Sequence, residues 1–168
     1  IVRQSSLEKL RQRFRKANNS DIENDAEFIE LYGKIKDYTM VGIERCYTLY
    51  TSVKYILKNN ISGDFVECGV WKGGSSMLVA LLAGMTEPGK NDGVEEKIEW
   101  EKNKKDDGNN SWCFASYEEV EANMKSTGYP VGNIRLLKGK VEDTIPGTMP
   151  AKIALLRLDT DWYESTKH

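Results

Sequence analysis

The sequence predicts an α/β fold with a doubly wound parallel sheet, and three observations predict it. An apolar stretch that opens at Phe65–Val66 leads through glycine-rich residues into the apolar run Met77–Ala83, which is a strand–turn–helix unit. The run Ile153–Leu156 is continuously apolar, as in a parallel strand buried on both faces. The 168 residues match the length of one ordinary domain.

The N-terminal part of the chain divides by charge. Residues 1–20 are rich in Arg and Lys, and residues 21–31 are acidic. The basic block is either an arm that binds nucleic acid or the face of a solvated helix, and its acidic neighbour favours the helix. We therefore predict an N-terminal helical extension over residues 1–38 and the main domain over residues 39–168.

The next elements follow from apolar spacing. Apolar residues at three- and four-residue steps predict a helix over residues 40–58, with Thr39 as its N-cap. Residues 87–111 are dense in charge and are expected to form a lid or substrate loop. Ser116 and Glu119 form a capping box that opens a helix ending near Gly128. Short strands are predicted at Asn133–Leu137 and Lys152–Leu158.

Composition excludes several classes of protein. Lys and Arg number 24 against 26 Asp and Glu, a formal net charge of −2, so we expect no nucleic-acid partner. The longest apolar run, Met77–Ala83, is far shorter than the ~20 residues that span a bilayer, so we expect no membrane partner. Three cysteines without a CxxC pair favour a reducing, cytoplasmic setting. The single histidine, His168, excludes Ser-His-Asp and Cys-His catalytic systems within this chain, and the catalytic base stays unassigned.

The glycine turn after the first strand is a candidate ligand site. Ligands of parallel sheets bind outside the carboxyl ends of the strands, and the helix that follows presents free N–H groups. The spacing from Gly69 to Gly73-Gly74 is G-x-x-x-G-G, whereas the dinucleotide fingerprint is G-x-G-x-x-G. Glu67, just before the turn, would repel a pyrophosphate and suits a cationic ligand such as S-adenosylmethionine. A tight turn without a ligand is the alternative.

Two carboxylates follow the second apolar strand. Asp159 and Asp161 lie at the carboxyl edge of the sheet, and side chains two apart on an extended chain share a face. Such a pair suits Mg²⁺, which prefers oxygen ligands and can acidify a bound hydroxyl. The alternatives are exposed loop carboxylates, or a carboxylate paired with Arg157.

Long strings of the sequence resemble the macrocin O-methyltransferase family. The resemblance spans roughly residues 38–168, with one break. The residues that carry it are Thr39-Met40, Glu44-Arg45, Tyr50, Gly63–Ser75, Leu137–Gly139, Glu142–Pro146 and Ile153–Thr166.

The resemblance implies a class I methyltransferase fold, a Rossmann-like three-layer sandwich around a parallel sheet. It also implies an S-adenosylmethionine-dependent O-methyltransferase, assisted by Mg²⁺ or another divalent cation. The acceptor would be a small molecule, through a hydroxyl of a sugar or sugar-bearing natural product. A homo-oligomer is compatible with the sequence.

The resemblance also assigns candidate site residues. One set would bind the cofactor, with the glycine-turn residues at its methionine end, the N-terminal pair closing over it and the last pair near its adenine. A second set would bind the metal. The cofactor set is Glu67, Gly69, Val70, Ser75, Thr39, Met40, Gly139 and Lys140, and the metal set is Asp159 and Asp161.

The chain departs from the family at two places. The family has a second strand, ending in an acidic residue, after the first helix, whereas here Ala83 runs directly into Gly84. The family also places further metal-binding carboxylates on a strand after Asp159, where this chain stops. We therefore predict an incomplete fold that lacks the second and the C-terminal strands. A non-catalytic S-adenosylmethionine-binding module and, less favoured, a dinucleotide-dependent oxidoreductase are the alternative functions.

Overall fold

A computed structural model describes residues 21–86, 115–160 and 163–167 of the chain. These residues form helices α1 to α6 and strands β1 and β2, with short 3₁₀ turns at Lys36–Tyr38 and Val131–Asn133. In chain order the elements are α1 (Ala26–Ile35), α2 (Ile43–Lys58), β1 (Asp64–Cys68), α3 (Gly74–Thr86), α4 (Tyr117–Ser126), α5 (Val141–Thr148), β2 (Ile153–Leu158) and α6 (Tyr163–Lys167). Three predicted features lie outside the described residues: the basic block 1–20, the charged lid segment 87–111 and Asp161.

Asp25 is the N-cap of helix α1, and its carboxylate accepts a hydrogen bond from the Phe28 amide at 3.0 Å. The helix fully buries Phe28, Leu31 and Ile35, which recur at helical spacing on one face. These side chains share one core cluster with α2 and α3. The division of the chain at residues 38 and 39 stays a prediction.

Helix α2 confirms the predicted helix but not its predicted cap. The helix starts at Ile43 with Gly42 at the N-cap position, so the assignment of Thr39 as N-cap is wrong. The Thr39 hydroxyl instead accepts a hydrogen bond from the Val41 amide at 3.1 Å, because it caps a local turn two residues on. The helix buries Cys46, and that burial raises the pKa of the Cys46 thiol to about 11.

Strands β1 and β2 confirm the predicted parallel sheet. They are hydrogen-bonded neighbours in parallel orientation, with Phe65 opposite Leu155 and Glu67 opposite Arg157. The fold is therefore α/β, and the described residues cover only part of the three-layer sandwich.

The predicted strand at Asn133–Leu137 is wrong. Val131–Asn133 form a 3₁₀ turn, and residues 134–138 form neither a helix nor a strand. Ile134 has extended backbone angles, but neither β1 nor β2 pairs with this segment. A strand needs a hydrogen-bonded neighbour, and the described part of the chain offers this segment none.

The core lies between the helices. Helix α3 packs against α1, α2 and α4, and it buries Met77, Leu78 and Leu82. It also runs without interruption through Ala83 and Gly84, so the predicted break in the family pattern falls inside one helix. Among the described residues, no helix combines the length and apolar character needed to cross a membrane.

Candidate active site at the carboxyl ends of the strands

The predicted cofactor residues gather where β1 ends and α3 begins. A cavity of about 1260 Å³ lies beside the glycine turn. Met77 N donates to Gly73 O at 2.8 Å, so the amides of residues 74–76 precede the first hydrogen bond of α3. Of the predicted cofactor residues, those on the cavity wall are Glu67, Gly69, Val70, Ser75 and Gly139.

Glu67 is the buried carboxylate of this site, with 10% of its side chain exposed. The Arg157 guanidinium donates Nη1–H to Glu67 Oε1, and the Ser76 hydroxyl donates to Glu67 Oε2. Burial raises the pKa of the Glu67 carboxyl above its ordinary value, and the contacts with Ser76 and Arg157 oppose that rise. The site thus holds a carboxylate with both oxygens engaged by its own chain.

Asp159 meets the same guanidinium from the next strand. Arg157 Nη2 donates to Asp159 Oδ2 at 2.9 Å, which confirms the pairing with Arg157 that the sequence left open. The Asp159 amide donates to Cys68 O at 2.9 Å, and this bond ties the ends of β1 and β2 together. The Asp159 side chain is 43% exposed.

Gly69 is required by the chain itself. Its φ is +85°, and a Cβ atom at this position would collide with the carbonyl oxygen of Asp159. The sequence predicts that Gly69 contacts the cofactor. The structure places the backbone of Asp159, just past the end of β2, against Gly69, and contact between Gly69 and a ligand stays a prediction.

Of the predicted N-terminal pair, only Thr39 is shown at the start of α3, and neither residue lies on the cavity wall. A Cβ atom on Gly74 would lie 2.7 Å from Thr39 Cβ, so the glycine allows residues 38–39 to pack against the helix start. Met40 is 54% exposed. Neither Thr39 nor Met40 lines the cavity, and Lys140, exposed at the N-cap position of α5, does not line it either.

Sequence reasoning missed how the glycine turn is held. Trp71 has φ +46°, a strained conformation for a bulky residue, and its buried Nε1 has no hydrogen-bond partner among the described residues. Lys72 fastens the turn to α4, because its carbonyl oxygen accepts from Asn123 Nδ2 at 2.9 Å and its ammonium lies 3.4 Å from Glu119 Oε1. No local sequence signal links Lys72 to Asn123, since their contact depends on the packing of α4.

Of the two predicted metal ligands, Asp159 lies among the described residues at this site. Within residues 21–86, 115–160 and 163–167 there is no group of three His, Cys, Asp or Glu side chains able to hold a metal. Asp159 fits as a single carboxylate ligand at the strand end, provided that it releases Arg157. Further ligands would be water or residues outside the described part of the chain.

Comparisons with known proteins show similarity to O-methyltransferases in sequence and in structure. The model of the family described as Macrocin-O-methyltransferase (TylF) matches residues 5–168. A methyltransferase from Streptomyces olivaceus, named as 8-demethyl-8-(2,3-dimethoxy-alpha-L-rhamnosyl)-tetracenomycin-C 4'-O-methyltransferase, is 32% identical over 77% of this chain and 54% of its own length. Demethyldecarbamoylnovobiocin O-methyltransferase of Streptomyces niveus is 31% identical over the same shares of the two chains.

Two further comparisons extend the set. Mycinamicin III 3''-O-methyltransferase of Micromonospora griseorubida is 26% identical over 77% of this chain and 56% of its own length. The solved structure of the O-methyltransferase NovP superposes with a TM-score of 0.58 at 28% identity, over 77% of this chain and 58% of that one. The chain thus spans about half the length of the curated relatives it matches.

Proposed function

Because the chain belongs to the macrocin-O-methyltransferase family, we propose that it is part of an S-adenosylmethionine-dependent O-methyltransferase. The acceptor we propose is a hydroxyl of a sugar or sugar-bearing natural product. The relatives support this class, since the names of two of them give a position of methylation, 4' on a rhamnosyl-tetracenomycin and 3'' on mycinamicin III.

One observation carries the proposal: a buried carboxylate, Glu67, stands directly before a strained turn that leads into the N-terminus of α3. Glu67 and Asp159 carry two negative charges and Arg157 carries one positive charge, so the cluster keeps one net negative charge. A ligand with an ammonium group and no phosphate suits that charge, whereas a pyrophosphate would be repelled. The same argument disfavours the dinucleotide-dependent oxidoreductase.

The remaining residues would divide the cofactor between them. Glu67 would accept hydrogen bonds from its ammonium group, and the backbone at Gly69, Val70 and Ser75 would contact its methionine end. The buried Nε1 of Trp71 supports a ligand that brings an acceptor to this turn. Residues 39–40 would close over the cofactor, and residues 139–140 would lie near its adenine.

The proposal includes a divalent cation, which Asp159 and Asp161 would hold. When bound, the cofactor supplies an electrophilic methyl group and a divalent cation lowers the pKa of the acceptor hydroxyl. The chain's own residues would orient the cofactor and the acceptor and exclude water, which is the main contribution of the protein to a direct methyl transfer. We further propose that the protein works in the cytoplasm, consistent with the buried free thiols of Cys46 and Cys68.

A methyl-transfer assay tests the proposal. The full-length protein is incubated with radiolabelled S-adenosylmethionine and a panel of glycosylated natural products that lack one O-methyl group, with Mg²⁺ or with a chelator. We expect labelled product that disappears with the chelator. Transfer that survives the chelator would refute metal assistance alone. Cofactor binding without transfer to any acceptor would favour the non-catalytic binding module.

A further inference from the structure

Arg157 lies between two carboxylates that come from different strands. Its Nη1 donates to Glu67 at the end of β1. Its Nη2 donates to Asp159, just past the end of β2, at 2.9 Å. Glu67 and Arg157 are opposite each other in the parallel register. The guanidinium is largely buried, with 19% of the side chain exposed.

We propose that Arg157 is a positioning residue for the amino-acid end of the cofactor, acting by holding the Glu67 carboxylate in one orientation. The inference rests on the proposed function, because it needs Glu67 to receive the cofactor ammonium. Arg157 itself need not touch the cofactor.

The geometry supports this role through the acceptor capacity of Glu67. Each carboxylate oxygen has two acceptor sites, so Arg157 and Ser76 leave one site on each oxygen for a ligand. A carboxylate fixed on both oxygens is already oriented, and a ligand that meets it loses less entropy on binding. Without Arg157, the buried carboxylate would keep only the Ser76 hydroxyl.

Charge explains why the cation is an arginine. A planar guanidinium reaches two carboxylates through separate nitrogens, whereas a lysine ammonium is a single point of charge. Arg157 neutralises one of the two carboxylate charges and still leaves one negative charge for an ammonium-bearing ligand. The two guanidinium nitrogens of Arg157 join the predicted cofactor residue Glu67 to the predicted metal residue Asp159, so loss of the guanidinium affects both.

Isothermal calorimetry on the full-length protein tests the role with two matched probes. S-adenosylhomocysteine carries the amino-acid end, and 5'-methylthioadenosine has the same nucleoside and thioether without it. We expect Arg157→Met to weaken S-adenosylhomocysteine binding about tenfold. A Glu67 carboxylate that is no longer held in place would lose one hydrogen bond to the ligand ammonium, and tenfold is the effect of losing one hydrogen bond to a charged group. Binding of 5'-methylthioadenosine should stay within about twofold of wild type, since a tenfold change corresponds to 1.4 kcal/mol.

Two further variants complete the test. Arg157→Lys keeps the positive charge but not the two guanidinium nitrogens, so its S-adenosylhomocysteine affinity should lie between those of wild type and Arg157→Met. This variant replaces Arg157→Met in the test if the methionine variant fails to fold. Arg45→Met removes an exposed arginine from α2 and should change neither affinity. Equal losses for both probes would mean a general structural role and overturn the inference, as would unchanged S-adenosylhomocysteine binding. A wild-type protein that binds neither probe would overturn the proposed function first, and this inference with it.

Discussion

The helical region and the sheet differ in a way that is unusual for an α/β protein. Helices α1 to α3 contain fully buried large side chains, among them Phe28, Tyr50 and Leu78. Of the apolar side chains on the two strands, which normally form the most buried layer, only that of Cys68 is buried. On β2, Leu156 is 51% exposed and Leu158 is 46% exposed.

This difference indicates a sheet whose neighbours are not all among the described residues. The run Ile153–Leu156 has the continuous apolar pattern of a strand covered on both faces, yet part of it faces solvent here. The helical core is buried among the described residues, whereas the apolar surface of β2 is the kind that a protein covers. The matched relatives, about twice the length of the aligned region, are consistent with that reading.

The largest expected effect is a stability contrast between the two regions. Leu78→Ala, in the helical core at 0% exposure, should lower the free energy of unfolding by about 3 kcal/mol, since it leaves a cavity. The matched change Leu156→Ala on β2 should cost about 1 kcal/mol or less, because little buried area is lost. Urea unfolding of the chain of residues 1–168 measures both. Equal losses would break the comparison, since they would mean that β2 is covered in solution.

Much of the fold could be predicted from local sequence. Ser116 is confirmed as the N-cap of α4, because its hydroxyl accepts from the Glu119 amide at 3.1 Å, a contact that spans only three residues. Both strands flanking the site were also predictable from their apolar runs. Helix α5 was not, because Pro146 and Gly147 lower its helix propensity.

The candidate site was less predictable, since its contacts join distant parts of the chain. The sequence indicated Glu67 and Asp159 separately, and it offered a pairing of Arg157 with a nearby carboxylate. That one guanidinium bridges both carboxylates follows only from the register that sets Glu67 opposite Arg157. The reason for Gly69 was likewise non-local, because the obstructing oxygen belongs to Asp159.

A pair of glycine substitutions sharpens the contrast further. Gly69→Ala should destabilise the protein by about 2 kcal/mol, since φ is +85° and the new Cβ would strike the Asp159 carbonyl. Gly33→Ala, at an exposed position of α1 where the new Cβ meets nothing within 4 Å, should instead stabilise the protein by about 0.5–1 kcal/mol through helix propensity. Thermal unfolding midpoints report both signs. A neutral Gly69→Ala would mean that the strand ends can separate at no cost.

The smallest expected effect concerns pH, and it tests whether the strand ends are as buried as the helical core. Burial raises the pKa of Glu67 above its ordinary value of 4.5, so the native state keeps this proton at a higher pH than the unfolded state does. In the window just above pH 4.5 the native state therefore binds more protons. Stability contributed by Glu67 then falls as pH rises through the native pKa.

The comparison of wild type with Glu67→Gln isolates this term, because Gln has no proton to lose while the other titrating groups are shared. Unfolding free energies are measured by urea titration at several pH values between 4 and 8. The stability of the wild type relative to the variant should fall as pH rises and reach a plateau once Glu67 is ionised. The opposite slope would mean that the charge of Arg157 prevails over burial. In that case the strand ends would behave as solvated surface, unlike the core around Leu78, and the contrast between the two regions would extend to the site itself.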